Sequence, residues 1–229
     1  MTTSREKILN KLRSARQPFP DAPPRPKVYQ PVTVLDDTSP DALIERFVEE
    51  TRLLQGEAFV CEGDGAACDQ VLQLLQSHQT THALTWDFKY IPIPGLENAV
   101  RDLGITITQP DIQDEFRYET LAGIEPAQVG LTGADYAVAA TGTLVVSTGP
   151  GKGRIATVLP PTHIAVITAD QLLPRLENWI AIQRQRHLSL FYDTANVCLI
   201  TGPSRTGDIE KKLVLGMHGP GEVQIVIKK

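Results

Sequence analysis

The residues best suited to chemistry follow an apolar segment near the end of the sequence. Residues 197–201 predict a buried strand, and the small residues after it predict a turn that leads into a helix. Ser204 or Thr206 would cap that helix, with Asp208 in its first turn. Because helix N-termini offer free N–H groups and the guanidinium of Arg205 suits a carboxylate or phosphate, we predict an anion site here. The alternative is a capping turn with a surface arginine.

Two histidines stand where they could transfer protons. His218 lies between glycines in the segment 216–221, which predicts an accessible turn, and His163 begins a strand after two prolines. We name His218 and Asp208 as catalytic candidates, and a hydrogen-bonded structural role is the alternative for either histidine. The sequence has no His-Glu-x-x-His motif and no close set of His and Asp ligands, so we expect no metal site in this chain.

A glycine-rich run over residues 149–154 is a second place where an anion could bind. Its glycines would let the backbone approach a ligand closely, and Lys152 and Arg154 would balance phosphate charge. The pattern G-x-G-x-x-A is present, but residues 155–159 predict a strand, whereas a dinucleotide-binding motif needs a helix at that point. A plain β-turn is therefore the alternative to an anion-contacting loop.

A third group of polar residues lies among small ones in the segment 133–143. Asp135 and the hydroxyl groups of Thr141 and Thr143 would line the same mouth as the other polar groups if the chain folds back there. Small residues permit close approach of a ligand to the backbone, and they permit tight packing at a sheet corner equally well. Both interpretations stay open, and we include Thr141 and Thr143 among the predicted substrate contacts.

The elements that must position these residues alternate along the chain. Apolar spacing predicts helices over 41–55, 64–79, 112–122 and 171–186. It predicts strands over 58–61, 82–85, 105–108, 129–148 (several strands or a hairpin), 155–159, 163–168, 197–201 and 223–227. This alternation is typical of an α/β protein with a mixed, mainly parallel sheet flanked by helices. Ligands of such sheets bind beyond the carboxyl ends of the strands, which is where we expect the turn at Arg205 to lie.

The N-terminal part differs from the rest of the chain. Residues 4–15 predict a short amphipathic helix, and residues 17–31 are rich in proline, which favours an extended arm. We therefore divide the chain into a helix with a proline-rich arm (1–38) and an α/β domain (39–229). The arm would serve either as a surface-bound connector or as an element that wraps the domain or a partner.

Composition narrows the range of functions. The net charge of -5 and the pI of about 5.6 argue against nucleic acid and against an anionic membrane. Three cysteines are too few and too scattered for an iron–sulfur cluster, so we expect any electron carrier to be bound elsewhere. No segment reaches the roughly 18 apolar residues that span a bilayer, and the first residues lack the apolar core of a signal peptide, so we expect a cytoplasmic protein.

Four motifs in the same order resemble the LUD domain in the lactate utilization protein C family. They are Ala134–Leu144, Leu159–Ile164, Thr201–Glu210 and Gly216–Pro220, and the resemblance extends over about residues 41–229. It implies a fold similar to that of ribose-5-phosphate isomerase, coenzyme A transferases and formyltetrahydrofolate cyclo-ligase. One departure is Ala140, where many relatives have an acidic residue, so that any catalysis by that acid would be lost here.

The resemblance also implies a function. The family is encoded with two iron–sulfur partner proteins, and the set oxidises L-lactate to pyruvate. We therefore expect a subunit that supports L-lactate utilization, binds an organic acid or other small anion, and holds no cofactor itself. Whether this chain is itself catalytic within a lactate dehydrogenase or oxidase complex stays open. The alternatives are a stand-alone enzyme acting on a phosphorylated, nucleotide or coenzyme A substrate, and a purely structural interaction protein.

Overall fold

The computed structural model describes residues 3–14, 33–110, 116–207 and 213–229. The chain divides into two compact units, with the boundary between residues 32 and 33. In the first unit, the predicted N-terminal helix is confirmed as α1 (Ser4–Ser14), which buries none of its residues. The predicted proline-rich arm falls largely on residues 15–32, outside the described residues. The division of the chain at residue 38 stays a prediction.

The second unit contains the remaining elements. Its α-helices are α2 (Pro40–Leu53), α3 (Gly63–Ser77), α4 (Leu96–Asp102), α5 (Arg117–Ile124), α6 (Leu176–Gln185) and α7 (Ser189–Asp193). Its strands are β1 (Glu57–Cys61), β2 (His82–Thr85), β3 (Thr106–Thr108), β4 (Val129–Thr132), β5 (Tyr136–Val138), β6 (Thr143–Ser147), β7 (Thr162–Thr168), β8 (Leu172–Leu173), β9 (Val197–Thr201), β10 (Arg205–Gly207), β11 (Leu213–Leu215) and β12 (Glu222–Lys228).

Six of these strands form a parallel sheet in the order β1-β12-β7-β4-β2-β3. Strands β7 and β12 lie in its middle and are almost entirely buried, which explains why their sequences are nearly continuous apolar runs. Helices α2 and α3 pack against the sheet and bury side chains such as Phe47 and Leu75 completely. The predicted α/β class with a mainly parallel sheet flanked by helices is confirmed.

A second, four-stranded sheet has the order β8-β5-β6-β9. Strand β6 pairs with β5 and β9 in antiparallel fashion, and a small core forms where Val138 and Val145 meet Trp179 of α6. Strands β10 and β11 form a separate antiparallel hairpin. Strand β9 was predicted to be buried, but Leu199 and Thr201 are exposed because β9 lies beside β6 in this smaller sheet.

Two predicted elements are wrong. Residues 154–157 form a 3-10 helix rather than a strand, because both neighbours of β4 in the parallel sheet are already taken by β2 and β7. The predicted helix after Ser204 is replaced by strand β10, which pairs with β11, so no helix N-terminus forms at Arg205. Asp208 lies outside the described residues.

Gly130 of β4 makes the closest backbone approach in this part of the fold. A Cβ atom at this position would lie 1.8 Å from the carbonyl oxygen of Ala156, in the 3-10 helix that lies on the strand. The contact is between the backbone of Gly130 and the backbone of Ala156, so no side chain can rotate to make space. The glycine therefore lets residues 154–157 lie directly on the sheet.

We expect Gly130→Ala to lower the free energy of unfolding by about 3 kcal/mol or to prevent folding, because the methyl group has no space. Gly123→Ala is the matched control, since this glycine is exposed in α5 with nothing within 4 Å of a Cβ atom. That change should stabilise the protein by roughly 0.5–1 kcal/mol. Urea denaturation of both variants measures the difference, and equal stability of Gly130→Ala and wild type would contradict the close approach.

Candidate functional site

The glycine-rich run folds as a tight hairpin over the carboxyl end of β2. The N–H groups of Gly149 and Lys152 donate to each other's carbonyl oxygens, with N···O distances of 3.3 and 2.9 Å. Two bonds fix the hairpin to the residues after β2: the N–H of Asp87 donates to Gly151 at 2.8 Å, and Nε1 of Trp86 donates to Gly153 at 3.1 Å. The predicted β-turn forms, and the run also lines two cavities, while its contact with an anion stays a prediction.

Lys152 is held in a polar and aromatic environment. Its ammonium Nζ lies 2.5 Å from Oδ1 of Asp135 and 2.8 Å from Oγ of Ser147, and it lies over the rings of Trp86 and Tyr90 at 5.3 and 5.5 Å from the centroids. The lysine side chain is 14% exposed and that of Asp135 is 23% exposed. A lysine has three N–H donors, and these two bonds leave one for a ligand.

Asp135 is positioned by the connection from β4 to β5. Its backbone N–H donates to the carbonyl of Val145 at 2.8 Å, and its Oδ2 accepts from the N–H of Ser147 at 2.5 Å. Both carboxylate oxygens are therefore used, one by the backbone of β6 and one by Lys152. This fixes the ammonium group at one place, as a binding site for an anion requires.

A cavity of about 340 Å³ opens beside this ion pair. We call it the Lys152 cavity; it is lined by Trp86, Tyr90, Ala134, Asp135, Tyr136, Lys152, Gln171, Gln183, Arg186 and Leu190. The lining carries two cationic side chains and one anionic one, which leaves an excess of one positive charge. Such a cavity can accept a small anion.

Gln183 of α6 is the unusual member of this lining. It is 2% exposed, and among the described residues neither its Nε2 nor its Oε1 has a hydrogen-bond partner. Sequence reasoning missed it, as it missed Ser147. The available signal was a glutamine four residues after Trp179 on the buried face of a helix, where an apolar residue is expected.

A larger cleft, of about 810 Å³, lies on the other side of the hairpin. We call it the Arg154 cleft; it is lined by Thr85, Gln109, Pro110, Gly149, Pro150, Gly151, Gly153, Arg154, Ile155 and Val158. Arg154 is exposed at this cleft, and the hydroxyl group of Thr85 is buried without a hydrogen-bond partner among the described residues. The structure thus brings Lys152 and Arg154 to one edge of the sheet, but into two cavities.

The turn at Arg205 does not lie at that edge. Ser204 donates its N–H to Pro220 at 2.8 Å and accepts from the N–H of His218 through Oγ at 3.3 Å. Next to this contact, the N–H of Gly221 donates to Pro161 at 2.9 Å. Since these residues precede β12 and β7, the turn lies at the amino ends of the parallel strands. Our expectation of the carboxyl edge was wrong because β9 runs antiparallel to β6 in the smaller sheet.

Arg205 and His218 are both exposed, and Thr206 lies between Arg205 and Gly207 in β10. Ser204 links the two turns that carry these residues. The arrangement therefore joins the two C-terminal motifs to each other at the amino ends of the parallel strands, whereas the hairpin with Lys152 lies beyond the carboxyl end of β2. Their roles as catalytic or anion-binding residues stay predictions.

Thr141 and Thr143 belong to a chain of hydroxyl groups. Oγ1 of Thr143 lies 2.8 Å from that of Thr141 and 2.9 Å from that of Thr201 on the neighbouring strand. Thr143 begins β6 and Ser147 ends it, so the threonines lie about 13 Å from Ser147 along the strand. They therefore do not line the Lys152 cavity, although Asp135 does.

His163 is fully buried in β7, between Gly130 of β4 and Val223 of β12. Its Nε2 lies 2.8 Å from Oγ1 of Thr132, and its Nδ1 has no hydrogen-bond partner among the described residues. Burial lowers the pKa of His163 to about 4. It is therefore neutral near pH 7, and the geometry favours the structural alternative.

Comparison with known proteins identifies the family to which this chain belongs. Residues 44–227 match the LUD domain. A protein named lactate utilization protein C from Halalkalibacterium halodurans is 30% identical over 94% of this chain and 90% of its own length. The chain is a LUD-domain member of the lactate utilization protein C family. The resemblance inferred from the four motifs is confirmed.

Other relatives agree. Lactate utilization protein C from Macrococcus caseolyticus is 32% identical over 68% of this chain, and the alignment spans 64% of that protein, just under two thirds. The crystal structure of a DUF162 family protein from Deinococcus radiodurans superposes with a TM-score of 0.59 at 16% identity. The match covers 84% of this chain and all of that one, and it supports the fold alone.

Two further observations concern metals and membranes. In the ranges that the structure describes, no group of three or more His, Cys, Asp and Glu side chains is arranged to hold a metal ion. Among the described helices, none combines the length and the apolar character needed to cross a membrane.

We expect stability to depend on pH through His163. An ordinary histidine has a pKa near 6.5, whereas that of His163 is about 4, so the unfolded chain takes up the proton first as the pH falls. The stabilisation is fully present above pH 6.5, and about 3 kcal/mol should be lost as the pH approaches 4. Urea denaturation at pH 7.5 and 4.5 measures this loss. His163→Leu should reduce the difference in the free energy of unfolding between the two pH values. If the variant shows the same difference as wild type, His163 is not a neutral buried histidine.

Proposed function

We propose that this chain is a component of an L-lactate utilization system and that it binds a small organic-acid anion in the Lys152 cavity. Relatives named lactate utilization protein C, which align over most of the chain, support the role in lactate utilization. The geometry around Lys152 supports the binding of a small anion. The two parts of the proposal are tested separately below.

The observation that carries the anion site is the fixed ammonium group of Lys152. Asp135 and Ser147 hold it at the wall of the cavity, two aromatic rings limit its contact with water, and Arg186 adds a second positive charge. A charge that is already oriented binds a carboxylate without the entropy cost of ordering a free lysine. The site also lies at the carboxyl edge of the parallel sheet, where ligands of such folds commonly bind.

We propose that the oxidation itself involves iron–sulfur partner proteins. Iron–sulfur clusters are usually held by four cysteine thiolates, and the whole sequence has three cysteines. Cys61 lies on β1, Cys68 on α3 and Cys198 on β9, so the three come from separate elements. This distribution supports a division of labour in which electrons pass through other subunits.

The first test is growth on L-lactate as the sole carbon source. In a strain that lacks this protein, the Lys152→Met variant should support growth at less than roughly a tenth of the wild-type rate. Loss of a charged hydrogen bond to a carboxylate weakens binding about 10- to 100-fold. Lys89→Met is the matched control, because this lysine is 61% exposed and does not line the cavity. It should restore full growth.

Two more variants complete this test. Asp135→Asn combined with Lys152→Met removes both charges and separates loss of binding from the instability of an unpaired carboxylate. Arg205→Ala tests the rival anion contact at the opposite edge. Normal growth with stable Lys152→Met would overturn the Lys152 site, and normal growth of the deletion strain, with no second copy present, would overturn the role in lactate utilization.

One observation favours a second candidate function, an enzyme acting on a phosphorylated, nucleotide or coenzyme A substrate. The Arg154 cleft is more than twice as large as the Lys152 cavity, and Arg154 lies at it with the buried hydroxyl of Thr85. A guanidinium group suits a phosphate, and the apolar side chains of Ile155 and Val158 suit a flat ring. The cleft thus has the size and chemistry for a larger ligand.

Thermal unfolding distinguishes the two candidates. If the Arg154 cleft binds a phosphorylated ligand, saturating ATP or coenzyme A should raise the Tm by roughly 5–10 °C, through about 2.7 kcal/mol of binding linkage at a hundred times Kd. Arg154→Ala should remove most of that shift, while Arg101→Ala, on the surface of α4, should keep it. A shift with L-lactate and none with ATP or coenzyme A would contradict the second candidate.

A further inference from the structure

We propose that Gln183 recognises the 2-hydroxyl group of a short 2-hydroxycarboxylate bound in the Lys152 cavity. The inference rests on the proposed function, in that the cavity must first bind an organic acid. It goes further by naming the residue that distinguishes a 2-hydroxy acid from other short acids. Acids without the hydroxyl group would bind more weakly at the same place.

The first step is that Gln183 has hydrogen-bonding capacity to offer. It is almost completely buried, and neither amide atom has a partner among the described residues. Buried polar groups are nearly always hydrogen-bonded, so an unpartnered amide at a cavity wall is explained by a ligand that completes it. The backbone of α6 gives the side chain a fixed origin, because Trp179, one turn earlier, packs edge-on against Phe191 at 5.8 Å.

The second step is that two other polar side chains of the lining, both partly buried, are already used. Gln171 donates through Nε2 to Ala134 at 2.6 Å and accepts through Oε1 from the N–H of Thr168 at 2.7 Å. Asp135 uses one oxygen for Lys152 and the other for Ser147. In this lining, Gln183 is the side chain that is both buried and without a hydrogen-bond partner among the described residues, so it is left to contact a ligand.

The third step concerns the chemistry of an amide. Gln183 presents a donor and an acceptor side by side, so it is complementary to a ligand that has an acceptor next to a donor. A carboxylate only accepts hydrogen bonds, and the oxygen of a 2-oxo acid also only accepts. A 2-hydroxycarboxylate has both groups on adjacent carbons. Nε2 would donate to its carboxylate oxygen, while Oε1 would accept from its hydroxyl.

The remaining groups bind the charged end. Lys152 has one N–H left, and Arg186 lines the same cavity, so both can contact the carboxylate. The volume of about 340 Å³ is near the lower end of ligand pockets, which run from roughly 300 to 1,000 Å³. A short acid therefore fits this cavity better than a nucleotide does. Water is the rival occupant, and it would give no preference among short acids.

The test is the binding of three acids with three carbons each: L-lactate, pyruvate and propionate. Isothermal titration of the wild-type protein should give L-lactate an affinity at least tenfold higher than the other two. A site that hydrogen-bonds a substrate hydroxyl discriminates strongly against analogues without it. Gln183→Met, which keeps the length of the side chain, removes the donor to the carboxylate that all three acids share and the acceptor for the hydroxyl that lactate alone has. It should therefore weaken lactate far more than propionate and leave the three acids with similar affinities.

Controls separate this inference from the proposed function. Gln185→Met changes an exposed glutamine at the end of the same helix and should preserve the preference. Lys152→Met should weaken all three acids together. Equal binding of the three acids to wild type would overturn the role of Gln183 and leave the anion site intact. Failure of wild type to bind any of them would overturn the anion site itself, and neither result depends on whether a variant folds.

Discussion

The ion pair between Asp135 and Lys152 joins the two sheets at one edge of the α/β unit. Asp135 follows the last strand that the chain adds to the large sheet before it enters the smaller one, and Lys152 lies in the hairpin that leads back. Ser147, at the end of β6, hydrogen-bonds to both side chains. A half-buried pair of this kind contributes little net stability, but removal of one partner leaves a charge that has lost most of its water. Its main effect is to fix the place of the hairpin, and with it the walls of two cavities.

Sequence periodicity predicted the elements of the large sheet well, because strands buried on both faces are continuous apolar runs between polar segments. Periodicity failed where the neighbouring strand, rather than the apolar pattern of the segment itself, decides which structure the segment adopts. Residues 154–157 have strand-like composition, yet both places beside β4 are occupied. Strand β9 is apolar as well, and no local signal indicates that its neighbour is β6 rather than a strand of the large sheet.

The candidate site divides in the same way. Lys152, Arg154 and Asp135 could be selected from the sequence, since charged residues among glycines and other small residues have few structural explanations. The sequence could not predict which polar residues share a cavity. The length of β6 separates Thr141 and Thr143 from Ser147, and the hairpin separates Lys152 from Arg154. Gln183 was hidden for another reason: a single glutamine in an amphipathic helix resembles an ordinary boundary residue until its burial is known.

The position of β12 has a consequence for biosynthesis. It is synthesised after the other five strands of the large sheet, yet it lies between β1 and β7 in the interior of that sheet. Until residue 228 has left the ribosome, β1 cannot join the sheet and β7 has one open edge. Open apolar edges of this kind attract other chains, so the nascent protein is exposed to aggregation until β12 has been synthesised. Ribosome-associated chaperones would therefore matter more for this protein than for one whose central strands are made first.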